Sequence, residues 1–283
     1  MTKNTMPYLA KIFIYPIKSL DGVELEQGRV LASGALEHDR EFAIFDENSR
    51  VVNGKRYSSI HQLRSTFAER SEGKAGRSPS HFSIPHRTIS LQLPGQASKS
   101  VFHLDEERQA LTSFLSDFFG FAVTLQQNSV VGFPDDLRSS GPTIISTATL
   151  IEVASWFPGL TVDEMRRRMR ANLEIGGVPA FWEDQLFSQS GDLLPFQIAD
   201  VKFLGVNPCQ RCVVPTRNSL SGEAYSNFQK IFIQKRQATL PQWVASSRFK
   251  HLYSLSVNTQ LPSSEAGKII KTGDKVEITL DVN

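Results

Sequence analysis

The residues best suited to chemistry are the only two cysteines in 283 residues, Cys209 and Cys212. They stand in a C-x-x-C spacing with Arg211 between them, in the stretch Asn207-Pro208-Cys209-Gln210-Arg211-Cys212-Val213-Val214-Pro215-Thr216. Four readings compete. A thioredoxin-type dithiol needs its first cysteine at a helix N-terminus, and Val213-Val214-Pro215 resists helix. Half of a structural zinc site needs two further ligands; the six histidines are scattered, and Pro85 separates His81 from His86. A single thiolate can ligate a soft metal when a cofactor brings the other donors. A pair of buried structural cysteines is the plain alternative.

Other groups suit anion binding. Lys18-Ser19 follows a strand that Pro16 stops and could hold an anionic group, whereas Asp39-Arg40 reads as a local ion pair. The basic run Arg166-Arg167-Arg168-Met169-Arg170 has guanidinium forks that match phosphate, although a surface helix with solvated charges is the commoner use of such a run. Glu183-Asp184 reads as an exposed acidic turn. No Ser-His-Asp signature, P-loop or G-x-G-x-x-G is present.

The elements that must position these groups are mostly short strands. Tyr8 to Tyr15 reads as one strand, and Val23, Leu25 and Val30 as a second. Phe42 to Phe45 and Val51-Val52 flank the turn Asp46 to Ser49 as a hairpin. Residues 71–80 form a polar Gly/Pro-rich loop before a strand carrying Ile89, Leu91 and Leu93. Asp105 caps a helix with Leu111, Phe114, Leu115 and Phe118 on one face, and Gly120 ends it. A strand follows at Val123 to Leu125, then a polar stretch from Gln126 to Pro142 marks the boundary between two domains, 1–126 and 127–283.

The second half opens with a strand at Thr143 to Ile145, a Ser146-Thr147 cap and a helix carrying Leu150, Val153, Ala154 and Phe157. Thr161 and Glu164 make a capping box. Apolar alternation at Ala199, Val201 and Phe203 runs into the cysteine turn, which places the thiols at a strand end. A helix around Glu223 to Lys235 follows, then alternation at Tyr253, Leu255 and Val257 and at Val276, Ile278 and Leu280. Many short strands, few helices and no βαβ alternation predict a β-rich α+β fold.

Composition bounds the partners. With 40% hydrophobic and 21% charged residues, the chain can bury a sizeable core. A net charge of +2 gives no electrostatic case for nucleic acid. The N-terminal residues lack a signal-peptide pattern, and no apolar run approaches the ~18 residues that span a bilayer. A soluble cytoplasmic protein is expected.

The motifs in order resemble one family. Tyr15-Pro16-Ile17-Lys18-Ser19, Gly34 and Asp39-Arg40-Glu41-Phe42 resemble the MOSC N-terminal β-barrel domain. Arg168-Met169-Arg170-Ala171-Asn172, Glu183-Asp184, Cys209-Gln210-Arg211-Cys212 with Pro215-Thr216, Ser221-Gly222 and Ile270 to Val276 resemble the MOSC domain proper. The resemblance implies an N-terminal β-barrel-like domain followed by a MOSC β-barrel domain with a few helices. The pattern is similar to the amidoxime-reducing component and to bacterial proteins that detoxify N-hydroxylated bases.

What the resemblance implies is a molybdenum–molybdopterin cofactor between the two domains. Cys209 carries over as the thiolate on molybdenum, with Cys212 a neighbour. Lys18, Ser19, Arg40, Ser146, Thr147, Arg168, Arg170 and Asn172 carry over as cofactor-binding residues. The implied activity is reduction of small N-hydroxylated substrates. With no further cysteine for an iron–sulfur domain, electrons are expected from a separate ferredoxin-like, flavin or haem reductase system. Asn218, where an Asp-containing turn is usual, bears on substrate detail. The alternative function is a cofactor carrier or sulfur-transfer protein using Cys209.

Overall fold

The computed structural model describes residues 6–67 and 87–278. The polar loop at 71–80, His81, Pro85, His86, Leu280 and the first five residues lie outside the described residues. The described fold is β-rich α+β, with four α-helices and sheets that do not close into barrels.

In the N-terminal half the strands are β1 (Tyr8–Ile14), β2 (Val23–Leu25), β3 (Gln27–Arg29), β4 (Phe42–Asp46), β5 (Arg64–Phe67), β6 (Thr88–Gln92) and β7 (Ser100–His103). Helix α1 (Arg108–Phe119) and β8 (Val123–Gln127) follow. The single strand expected over 23–30 is two, because β2 pairs with β1 while β3 turns away to pair with a strand near the C-terminus. The expected hairpin partner of β4 contributes only a bridge from Phe45 to Val51; β4 pairs along its length with β8. Glu107, not Asp105, occupies the cap position of α1, because the Asp105 carboxylate is held by Arg87 and Arg108. Gly120 ends α1 at φ 74, a left-handed conformation that glycine adopts without a Cβ clash.

The second half contributes β9 (Ile144–Ser146), α2 (Thr147–Ser155), α3 (Val162–Met169), β10 (Leu173–Gly176), β11 (Leu194–Ile198) and β12 (Val201–Gln210). Then come α4 (Phe228–Ala238), β13 (Ser254–Gln260), β14 (Ile269–Lys271) and β15 (Val276–Ile278). One eight-stranded sheet runs β15-β11-β12-β13-β9-β10-β1-β2, so the first strands of the chain close a sheet made of the last ones. This shared sheet brings the turn after β1 beside the C-terminal ends of α3 and β12.

Three apolar groups hold the frame. One packs under the large sheet around Leu9, Ile12, Leu173, Phe196 and Phe203. A second packs α1 against β4, β6 and β8 through Leu111, Leu115, Ile44 and Ile89. The third joins α2, α3 and α4, where Phe157 stacks on Phe228 at 4.1 Å. Each fully buried phenylalanine contributes roughly 1.5–3 kcal/mol. The α4 helix starts later than expected, at Phe228, after Asn227 in a left-handed conformation.

Glu183 and Asp184 are not an exposed turn. Both are buried, because Phe181 packs into the third apolar group while Trp182 packs against the first. Glu183 Oε2 accepts from Thr149 Oγ1 at 3.0 Å, and Asp184 pairs with buried Arg236. Burial, with the Asp184 charge beside it, pushes Glu183 up to about 7 from its ordinary 4.5. The folded protein therefore holds a proton that the unfolded chain has released between about pH 4.5 and 7. Stability from this group falls as pH rises through that window and levels off above it. A Glu183→Gln variant is expected to match the parent near pH 4.5 and to exceed it by roughly 3 kcal/mol at pH 8, at 1.36 kcal/mol per unit. Urea unfolding of both proteins at the two pH values checks this; a stability difference that does not change with pH would contradict it.

Candidate cofactor site

A cavity of about 1090 Å³ opens between the turn after β1, the end of α3 and the cysteine turn after β12. Cys209 sits where the pairing of β12 with β13 slips, between Pro208↔Val257 and Gln210↔Ser254. A bulge of this kind re-aims a side chain out of the sheet. Val214–Thr216 beyond it forms one 3-10 turn, with its own start after the cysteines, so no α-helix N-terminus serves Cys209 as a dithiol would need. Among the described residues, no group of three or more His, Cys, Asp or Glu could hold a metal by itself. A metal at Cys209 would need donors from a bound ligand.

Arg211 ties the cysteine to α3. Its Nη1 donates to Cys209 Sγ at 3.2 Å, its Nη2 donates to Met169 O at 2.6 Å, and its backbone N–H donates to Tyr253 O. Burial opposes the charge on Arg211, but the negative sulfurs of Cys209 and Cys212 outweigh it and hold the guanidinium above its ordinary value. A thiolate is the form of cysteine that ligates a metal.

Arg170 caps α3 in a left-handed conformation at φ 53, which throws its side chain over the ring of Tyr15 at 4.0 Å. Among the described residues its guanidinium has no hydrogen bond or ion pair. Burial pulls its pKa below the ordinary arginine value. Arg40 lies over the other part of this arrangement, 5.1 Å from the Tyr15 ring, paired with Asp39 and 3.4 Å from Asn172 Oδ1. Burial raises Tyr15 to about 12 despite both guanidiniums, so its hydroxyl stays protonated and donates to Ala171 O.

Lys18 is fixed by Phe133 O and Pro134 O at 2.9 and 3.1 Å and pairs with Asp135 at 2.6 Å. The Asp135 side chain is exposed, and the neighbouring Lys18 and Arg40 charges draw its carboxylate down to about 2. Ser19 lines the cavity with its backbone at φ 76. Asn172 also reaches the wall, yet its amide ties strands together, donating to Phe13 O and accepting from Thr143 N. Arg168 is buried, paired with Glu164, and donates to Pro215 O, which fixes the far side of the cysteine turn.

The structure thus gathers Lys18, Ser19, Arg40, Arg168, Arg170, Asn172 and Cys209 around one cavity. Ser146 and Thr147 are not on its wall. Ser146 is fully buried as the cap of α2, and Thr147 turns its hydroxyl to Glu174. The basic run is not a solvated face: Arg166 pairs with Glu174 and Asp163, and Arg168 with Glu164, while Arg167 reaches Glu164 and Ser219. Sequence reasoning passed over Tyr15 as an arginine platform, and over His61, Arg64 and Arg217 on the wall. The left-handed Arg170 left no trace in residue type. The C-x-R-C spacing carried the signal for Arg211.

A half-buried cation without an ion-pair partner and a soft sulfur lining one space fit a ligand that combines phosphate with a thiolate-seeking metal. No helix among the described residues is long and apolar enough to cross a membrane. Residues 6–121 match the MOSC N-terminal beta barrel domain. A molybdenum cofactor sulfurase of Drosophila yakuba is 28% identical over 235 residues, 77% of this chain and 28% of that protein. A molybdenum cofactor sulfurase of Caenorhabditis elegans is 20% identical over 281 residues, 97% of this chain and 36% of that protein. The chain therefore spans about a third of the length of these relatives. Residues 6–121 thus form a stretch that matches the MOSC N-terminal beta barrel domain, in a chain similar along most of its length to part of these molybdenum cofactor sulfurases.

Proposed function

We propose that the chain holds a molybdenum–molybdopterin cofactor through Cys209 and reduces N-hydroxylated compounds such as amidoximes, hydroxylamines and N-hydroxylated bases. The observation that carries the reading is the shared cavity, in which Cys209 with Arg211 on its sulfur faces the unpartnered Arg170. When bound, the cofactor supplies the two-electron chemistry that takes oxygen from an N–OH group. Arg211 holds the Cys209 sulfur in place through its hydrogen bond. Arg170 and Arg40, stacked about Tyr15, supply the cationic forks for the pterin phosphate, with Lys18 and Ser19 on the neighbouring turn. Arg168 and Asn172 hold the walls in place. Electrons come from a separate protein, and the reaction takes place in the cytoplasm.

An activity survey tests this reading. The full chain from a cofactor-competent host, given reduced methyl viologen, should convert at least one of an amidoxime, a hydroxylamine and an N-hydroxylated base to its dehydroxylated product. Molybdenum-loaded protein inert toward all three would contradict the reductase. A persulfide on Cys209 in that inert protein would favour sulfur transfer, which is the activity the names of the relatives carry.

A further inference from the structure

One corner of the cavity is built but has no place in the cofactor reading. Two segments, 58–64 and 217–222, are knitted together there. Arg64 Nη1 donates to Ser219 O at 3.1 Å and Gln62 Nε2 donates to Ser221 O at 3.1 Å. Gly222, at φ 76, lies so close that a Cβ would meet Ser58 O at 2.5 Å. Arg217 Nη1 donates to Gly222 O at 3.2 Å, which holds this guanidinium against the seam.

Three polar nitrogens of the corner are buried without a partner: Nε of Arg64, Nε of Arg217 and Nε2 of His61. Arg217 has no carboxylate partner among the described residues, and neither has Arg170 nearby. Arg64 shares Asp21, and Arg168 shares Glu164. His61 Nε2 is packed against Gly54, where a Cβ would lie 2.4 Å from it, so Nδ1 is the ring nitrogen left open to the cavity. The charges that act most strongly on His61 are those of the cations Arg170, Arg217, Arg64 and Arg168. Burial and these charges push the imidazole down to about 4, so it is neutral at pH 7. The buried Nε donors of Arg64 and Arg217, which lack acceptors, and the surplus of positive charge are both relieved by one oxyanion.

We propose that His61, Arg64 and Arg217 form an oxyanion subsite that takes a phosphate or carboxylate carried by the substrate. The proposal rests on the reading that the cofactor occupies the Cys209, Arg170 and Lys18 side of the cavity. It selects, within N-hydroxylated compounds, those with an anionic tail, as an N-hydroxylated nucleotide has. An oxyanion at this corner reverses the field on His61, so binding is coupled to proton uptake by its imidazole.

Inorganic phosphate probes the corner directly in the full chain. With imidazole resonances followed by NMR, saturating phosphate should raise the His61 titration midpoint by a pH unit or more, and Arg217→Met should weaken phosphate binding tenfold or more. A His61 titration indifferent to phosphate would overturn the proposal, and this measurement needs no variant to fold. In molybdenum-loaded enzyme, Arg217→Met should raise KM at least tenfold for an N-hydroxylated nucleoside monophosphate, leaving kcat and the KM of the parent nucleoside unchanged. Loss of molybdenum from Arg217→Met would mean that the corner holds the phosphate of the cofactor, and would equally overturn it. Phosphate-responsive His61 in a protein that never takes up molybdenum would support the subsite while removing the cofactor reading.

Discussion

Asp184→Ala is expected to destabilise the protein by about 3–5 kcal/mol, and Arg236→Met by a similar amount. Arg236 is wholly buried and Asp184 is 4% exposed, with the guanidinium 4.2 Å from the ring of Phe181 and 5.3 Å from that of Phe249. Burial outweighs the pull of Arg236 and leaves Asp184 above the ordinary carboxylate range, so desolvation is only partly offset by the pair. Nε and Nη1 of Arg236 have no partner besides. Such a pair adds little compared with apolar side chains of the same size, yet removal of one member strands a charge in the core. The double variant Asp184→Leu with Arg236→Met should therefore recover most of the loss of either single variant. Urea unfolding at pH 7 measures all three. Single variants within about 1 kcal/mol of the parent would contradict this account, because that is the range of an exposed pair.

Much of this frame was legible in residue patterns. The strand from Tyr8, the cap at Ser146 and the left-handed end of α1 at Gly120 follow from alternation, capping chemistry and a residue without Cβ. Thr161 accepts from Glu164 N–H as the capping box requires, although the Glu164 carboxylate turns instead to Arg168 and Ser219. Pairing across the chain was not legible. Nothing in Tyr8–Ile14 says that its partner is Leu173–Gly176, and nothing in Gln27–Arg29 names Ile269–Lys271. Those choices depend on side chains that meet only once the sheet has formed.

The site divides in the same way. Cys209, Lys18, Arg40 and Arg170 announce themselves by type and motif, and the fold gathers them. Ser146 and Thr147 look equally suited on paper, but hydroxyls before a helix also serve as caps, and here one does so fully buried. Glu183-Asp184 reads as polar surface because sequence alone does not reveal the Arg236 and Thr149 that receive it. His61 sits in a segment without periodicity, and its chemistry comes from Arg64 three residues on and from three arginines distant in sequence.

The second large effect, expected from the proposed function, is loss of metal. Cys209 lies on the bulge of β12 with Arg211 donating to its sulfur, whereas Cys212 is exposed and accepts only the backbone N–H of Val214 at 3.4 Å. The two cysteines are therefore unequal, and a serine hydroxyl at 209 cannot replace a soft thiolate on molybdenum. Cys209→Ser should lose nearly all metal and all turnover without loss of fold, because the cysteine is only half-buried and supports no core contact. Cys212→Ser should keep both. The deciding measurement is elemental analysis of molybdenum in the parent, Cys209→Ser and Cys212→Ser proteins, each purified from a cofactor-competent host. Near-stoichiometric molybdenum in the parent and in Cys212→Ser, with almost none in Cys209→Ser, is the predicted result. Molybdenum retained by Cys209→Ser, or absent from the parent, would contradict it.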